Sequence, residues 1–318
     1  MGIKVIKPGL QTTVQDLGRF GFRKDGIIVS GAMDTLALEI GNLLLGNDSG
    51  EAALECTLMG PKLLFETDQL IALTGGDLSP AIDGLPVKMW KPLFVTKGSV
   101  LSFGAAVTGC RTYITIYGGF DLPLILGSKS TYLKAGFGGY EGRMLKSDDL
   151  LHFNKNFKRN NARFNWLPDL SWYPDLNDPE IRVTEGPEYR WFSENESGRL
   201  FTDDYEVTKE ADRMGYRLSG QAILVSNSRQ MLSTAVGFGT VQVTGDGGLI
   251  ALMADHQTTG GYPRVLQVIG ADLPKLAQMK SGRKIRFKLV DLETAVAALS
   301  ARKDLVKQLK QTINLKYL

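Results

Sequence analysis

Glycine sets the rhythm of this chain. Its 36 glycines recur between short runs rich in Val, Ile, Leu, Thr and Tyr. Leu70-Ile-Ala-Leu-Thr74 precedes Gly75-Gly76, and Tyr113-Ile-Thr-Ile-Tyr117 precedes Gly118-Gly119. The second half repeats the pattern in Thr240-Val-Gln-Val-Thr244 and Leu249-Ile-Ala-Leu-Met253. Each run is too short for a helix and either alternates or is apolar throughout, which is the signature of sandwich or barrel strands joined by tight turns. The predicted fold is therefore mainly β.

Two helices interrupt the strands. Asp34 is placed to cap a helix over Thr35 to Leu45, with Leu36, Ile40, Leu43 and Leu44 on one face and Gly46 at its end. Near the C-terminus, Leu292, Val296, Leu299, Val306, Leu309 and Ile313 keep helical spacing after Asp291. That stripe is expected to pack on its own barrel.

With 318 residues the chain is too long for one ordinary core, so two domains are expected. The boundary candidate is the polar, basic stretch 154–163, followed by Pro168, Pro174 and Pro179. This gives domains over 1–160 and 161–318. Two short echoes support similar halves: Ile3–Gly9 with Ile181–Pro187, and Lys97–Phe103 with Ser281–Phe287. Chance likeness between hairpins explains such echoes almost as well.

Composition removes several function classes. A net charge of +3 leaves no electrostatic footprint for nucleic acid. No run of about 18 apolar residues spans a membrane, and the first residues lack a signal peptide's apolar core. With only Cys56 and Cys110 there is no disulfide framework, and a cytoplasmic, reducing location is expected. His152 and His256 stand far apart and no zinc-ligand spacing occurs, so no metal site is predicted from His and Cys, while a carboxylate-held Mg²⁺ stays open.

Four polar segments lie beside glycines, where backbone N–H groups can approach a ligand. The first contains Asp16 and Arg19, read either as an ionic-substrate site or as an ion pair in a turn. The second runs from Gly127 to Arg143 with Ser130, Thr131 and several further glycines, including Gly136, Gly138, Gly139 and Gly142; it reads as an anion cradle or as a glycine-rich β turn, and it is not a Walker A loop. The third is Asp212-Arg213 with Tyr216, an oriented arginine or a structural salt bridge. The fourth is the densest: Asp255, His256, Gln257, Thr258, Tyr262 and Arg264 follow an apolar strand directly. His256 reads as an acid or base, or as a hydrogen-bonded structural histidine.

These same segments resemble the carboxyltransferase subdomain A/B family, also called allophanate hydrolase subunit 2. The matching stretches are residues 7–22, 29–34, 127–139, 212–218, 254–265 and 271–278, in the family's order. The resemblance implies two tandem cyclophilin-like β-barrels with a few helices. It implies an ATP-dependent 5-oxoprolinase subunit, opening 5-oxo-L-proline to L-glutamate with a KipI-like B subunit and a LamB/YcsF-type A subunit, Mg²⁺ accompanying ATP. It also allows a KipA-type regulator that binds an inhibitor of a histidine kinase, or a biotin-dependent carboxyltransferase acting on a small amide. The chain has no Met-Lys-Met biotin motif, which favours the first two. Members often carry another residue where His256 sits, so the resemblance points to Asp255, Gln257, Arg213, Asp212 and Tyr216 as catalytic. It points to Asp16, Arg19, Ser130, Thr131, Arg143, Thr258, Tyr262 and Arg264 as substrate- or anion-binding.

Overall fold

The computed structural model describes residues 2–157, 167–224 and 231–317. The expected linker over 154–163 lies outside the described residues from 158 onward. The chain divides into two compact units. The first comprises Met1–Arg19, Ser30–Tyr173 and Asp304–Leu318; the second comprises Phe20–Val29 and Pro174–Lys303.

In chain order the first unit contains β1 (Gly2–Lys7), β2 (Gln11–Gln15), α1 (Thr35–Leu44), β3 (Ala53–Thr57), β4 (Lys62–Phe65), β5 (Gln69–Asp77), β6 (Ala81–Ile82), β7 (Leu85–Pro86), β8 (Pro92–Val95), β9 (Val100–Ser102), β10 (Thr108–Ile116) and β11 (Leu150–His152). They form a six-stranded sheet, β11-β1-β4-β9-β6-β7, and a five-stranded sheet, β2-β3-β10-β5-β8. Strand periodicity explains why the run Leu70–Leu73 of β5 is apolar on both faces. Ile71 and Leu73 join Ile3, Val5, Leu63, Phe65 and Ile114 in one core. Leu70 and Ala72 point the other way and pack with Leu36, Ile40 and Leu43 of α1. The strand is buried on both faces, and its buried polar side chains are hydrogen-bonded: Gln69 Nε2 donates to Lys155 O at 2.8 Å and Thr74 Oγ1 to Ala37 O at 2.7 Å.

The N-terminus of α1 is held as expected. Asp34 Oδ1 accepts from Ala37 N at 3.0 Å. The Asp34 backbone N–H donates to Tyr113 Oη at 2.8 Å, and that hydroxyl donates to Glu55 Oε2 at 2.7 Å. Glu55 Oε2 also accepts from Met33 N at 2.9 Å. This buried network ties the helix start to β3 and β10.

The second unit contains β12 (Glu180–Glu185), α2 (Glu194–Thr202), β13 (Tyr205–Val207), β14 (Gly215–Ser219), β15 (Thr234–Ala235), β16 (Thr240–Val243), β17 (Leu249–Leu252), β18 (Thr259–Gly260), β19 (Arg264–Val268), α3 (Leu273–Ala277) and β20 (Lys284–Leu289). Seven of these strands close a barrel in the order β12-β19-β16-β17-β14-β13-β20, sealed by the parallel pair β12–β20. Its register aligns Tyr216, Ala251, Val241 and Leu266 in one row, all buried. Arg217, Ile250, Gln242 and Arg264 form the alternate row on the opposite face. The short ribbon β15–β18 is a separate two-stranded sheet, joined to the barrel by Arg264 Nη1, which donates to Ala235 O at 2.9 Å.

The repeat echoes correspond to equivalent local pieces. Gly98 and Gly282 are left-handed turn residues, and β9 and β20 follow them. In the second unit the echoed strands β12 and β20 pair directly, whereas β4 separates β1 from β9 in the first. The final helix, α4 (Leu292–Tyr317), corrects one expectation. Val306, Leu309 and Ile313 pack with the α1 cluster of the first unit, whereas within the second unit Leu299 lies against Gly270, just past β19, and Arg302 Nη1 donates to Gly270 O at 2.9 Å. Leu292 and Val296 are exposed.

Asp34→Ala is expected to lower stability by about 1–2 kcal/mol through loss of the cap. Asp34→Asn keeps the capping oxygen and should retain most of it, as read from urea unfolding midpoints.

Candidate functional site

The polar residues singled out in the sequence gather into two clusters, one in each unit. In the first unit β2 is an edge strand, and the glycine-rich segment covers that edge. Thr131 N donates to Val14 O at 3.0 Å, and Leu145 N to Thr12 O at 2.9 Å. This places Asp16, just past the end of β2, inside the segment. Its carboxylate accepts from Gly18 N at 2.7 Å, Ser128 Oγ at 2.7 Å, Lys129 N at 2.6 Å and Ser130 Oγ at 2.5 Å. The donors of Ser128, Lys129 and Ser130 thus close on the chain's own Asp16 carboxylate.

Arg19, 1% exposed, donates to the Ser130 carbonyl and lies 4.8 Å over the Phe137 ring. Thr131 Oγ1 donates back to Val14 O at 3.0 Å. Gly138 and Gly139 hold left-handed backbone where a Cβ would stand 2.1 Å from Ser130 O and 1.9 Å from Thr131 Oγ1. These two glycines are required by close approach, not by ligand access. Arg143 does not join the cluster. Asp149 takes it in two hydrogen bonds at 2.7 and 2.9 Å, and Glu141 binds it from the other side.

In the second unit, strand register brings Arg213 and Asp255 together. β14 and β17 are antiparallel with Gly215 opposite Leu252. The residues just before β14 and just after β17 therefore share one barrel end. Met253 N donates to Met214 O at 3.0 Å and Asp255 N to Arg213 O at 2.7 Å, extending the ladder. The side chains then close a bidentate pair, Nε to Oδ2 and Nη2 to Oδ1, each 2.9 Å. Both are nearly fully buried, so the pair fixes the turn that follows.

That turn carries His256, Gln257 and Thr258. His256 Nδ1 lies 2.6 Å from Gln257 O, so Nδ1 carries the proton and donates. The segment Phe20–Val29, part of this unit, contributes Arg23. Its Nη2 donates to the carbonyls of Val236 and Thr258, the latter at 3.3 Å. Arg23 was not singled out in the sequence. It stands in a short polar stretch remote in sequence from the turn it reaches, and only the fold connects them.

The remaining candidates lie in other contacts. Asp212 is exposed and its carboxylate caps a turn, accepting from Met214 N and Gly215 N. Tyr216 is in the barrel interior and donates to Ala277 O at 3.2 Å. Arg264 is clamped by Glu188 at 2.8 and 2.7 Å and donates to Ala235 O. Burial pushes the Glu188 carboxyl up, but Arg264 outweighs it and holds the group below the usual range. Tyr262 is half-exposed and offers its carbonyl to Gln242 Nε2 at 3.0 Å. Among the described residues no three His, Cys, Asp or Glu side chains are grouped to hold a metal ion. Cys56 and Cys110 are both buried and form no disulfide, and burial pushes the Cys56 thiol up. No helix among the described residues is long and apolar enough to cross a membrane.

Residues 25–289 match the family described as carboxyltransferase domain, subdomain A and B. The chain is 40% identical to the C subunit of 5-oxoprolinase from Escherichia coli, covering 97% of each chain. It is 38% identical to the corresponding protein of Haemophilus influenzae, over 98% of this chain and 99% of the relative. The solved urea amidolyase of Kluyveromyces lactis superposes with a TM-score of 0.88 at 32% identity, over 97% of this chain but 20% of that one.

Two outcomes test this geometry. Asp16→Ala leaves four donors without their acceptor and should cost at least about 3 kcal/mol, with Asp16→Asn in between, by chemical unfolding. Asp255→Asn breaks the bidentate pair and should cost roughly 3–5 kcal/mol, while the double change Arg213→Met with Asp255→Leu recovers much of that loss.

Proposed function

Because this chain belongs to the carboxyltransferase domain family, subdomains A and B, we propose that it works as one subunit of an ATP-dependent 5-oxoprolinase. The observation that carries this reading is full-length likeness to the C subunit of that enzyme. The assembly would open 5-oxo-L-proline to L-glutamate, with a KipI-like B subunit and a LamB/YcsF-type A subunit as partners.

The chemistry gives a reason for several subunits. A lactam carbonyl is a poor electrophile and its five-membered ring recloses readily. Transfer of a phosphoryl group from ATP to the amide oxygen would activate it, and positioned donors would stabilise the developing charge. The glycine-rich segment does not fit a nucleotide phosphate, because Asp16 already occupies its donors. We therefore place ATP and its Mg²⁺ on another subunit. This chain would supply the turn after β17, made rigid by the Arg213–Asp255 pair, as the surface that meets the lactam.

Likeness to urea amidolyase supports a second reading, carboxyl transfer to a small amide from a biotin-bearing partner. Co-expression with the A and B subunits separates the two. Glutamate and ADP should form only when all three chains are present, and should drop to background when this chain is omitted. Full turnover by the other two chains alone would overturn the proposal. A stable complex without turnover would favour the regulatory role, and dependence on biotin would favour carboxyl transfer.

A further inference from the structure

We propose that Arg23 and His256 form a binding pair for a small carboxylate that carries an N–H on the neighbouring atom, as the lactam 5-oxo-L-proline does. The identity of that ligand rests on the function proposed above; the binding chemistry rests on the geometry of this unit.

His256 is 4% exposed, yet only one of its ring nitrogens is engaged. Nδ1 donates to Gln257 O, which fixes the tautomer and leaves Nε2 as a lone-pair acceptor. Nε2 makes no hydrogen bond among the described residues. Burial pushes the imidazole below its ordinary value. The Gln257 carbonyl pulls it up, Arg23 pushes it down, Asp255 pulls it up, and the net direction is down. The ring is therefore neutral at physiological pH and offers an acceptor, not a charge.

Arg23 is the complementary half. Both of its hydrogen bonds go to backbone carbonyls and use Nη2. One of those carbonyls belongs to Thr258, two residues beyond His256, so both groups are anchored on the same turn. No carboxylate pairs with Arg23 among the described residues, and its Nε and Nη1 donors remain. A guanidinium with spare donors beside a neutral acceptor matches an anion next to a hydrogen-bond donor.

5-Oxo-L-proline presents that edge. Its ring nitrogen and its carboxylate are attached to the same carbon, so one face shows both groups. The pair also separates substrate from product. Ring opening turns the neutral N–H into an ammonium, which Arg23 repels. Binding here is a positioning role, and no proton transfer is assigned to His256.

The chain's two histidines make the test direct. Full-length chain labelled with ¹⁵N-histidine gives two pairs of imidazole nitrogen signals, and His152→Gln identifies the pair to disregard. The His256 Nε2 signal should move saturably with 5-oxo-L-proline. 2-Pyrrolidinone lacks the carboxylate, the corresponding lactone acid lacks the N–H, and L-glutamate carries the ammonium. Each should bind at least about tenfold more weakly. Arg23→Gln and Arg23→Lys should each weaken 5-oxo-L-proline to a similar extent while circular dichroism stays unchanged. Binding should be present above the His256 pKa and fall as pH drops through it, below 6.5.

A His256 signal that ignores 5-oxo-L-proline at about 10 mM, or answers all four compounds equally, overturns the pair. So does unchanged affinity in both Arg23 variants. Turnover by the three-chain assembly with a silent His256 would overturn this inference and leave the proposed function standing. A responsive His256 in an assembly without turnover would do the reverse.

Discussion

The carboxylate of Asp16 is the point on which the first unit is organised. It follows an edge strand, and the segment that covers this edge closes around it through one backbone N–H and two hydroxyls, with Gly18 N as a fourth donor from its own loop. A buried carboxylate without such partners would be costly. A glycine-rich loop without an anion would leave its donors unsatisfied. Each supplies what the other needs, and Gly138 and Gly139 let Ser130 and Thr131 come close enough to complete the contact.

The second unit uses charge differently. Arg213 and Asp255 lie beyond the paired ends of β14 and β17, so strand register determines that they meet. A buried ion pair contributes little net stability compared with apolar packing, but it defines geometry strictly. Here it fixes the start of the turn that presents His256, Gln257 and Thr258. Arg23 holds the turn's other end through the Thr258 carbonyl. The polar residues on this turn are thus held from both ends.

Much of the architecture was legible in the sequence, because it depends on local pattern. The apolar runs starting at Leu70, Tyr113, Thr240 and Leu249 are strands, and Asp34 caps α1. Family membership was legible from the motifs, and the family model and the curated relatives bear it out. The helices α2 and α3 were not read, since their apolar positions are too few to show a period. The packing of α4 was misjudged over its second half, because an amphipathic stripe states that a face is buried and not what buries it. Among the polar residues, sequence could mark Asp16 and the glycine-rich segment but not that one fills the other, which is a contact over 112 to 114 positions. Tyr216 and Asp212 are neighbours of Arg213 in sequence, yet one faces the barrel interior and the other a solvent-exposed turn. Arg23 carried no local signal at all.

The central claim is that the glycine-rich segment is closed on an internal carboxylate and is no open phosphate cradle. Amide hydrogen exchange at Gly18 and Lys129, the two backbone donors to Asp16, tests it most directly. The account predicts strong protection at both amides, unchanged by adding phosphate or ATP to the isolated chain. Fast exchange at these amides that slows when phosphate or ATP is added would contradict it.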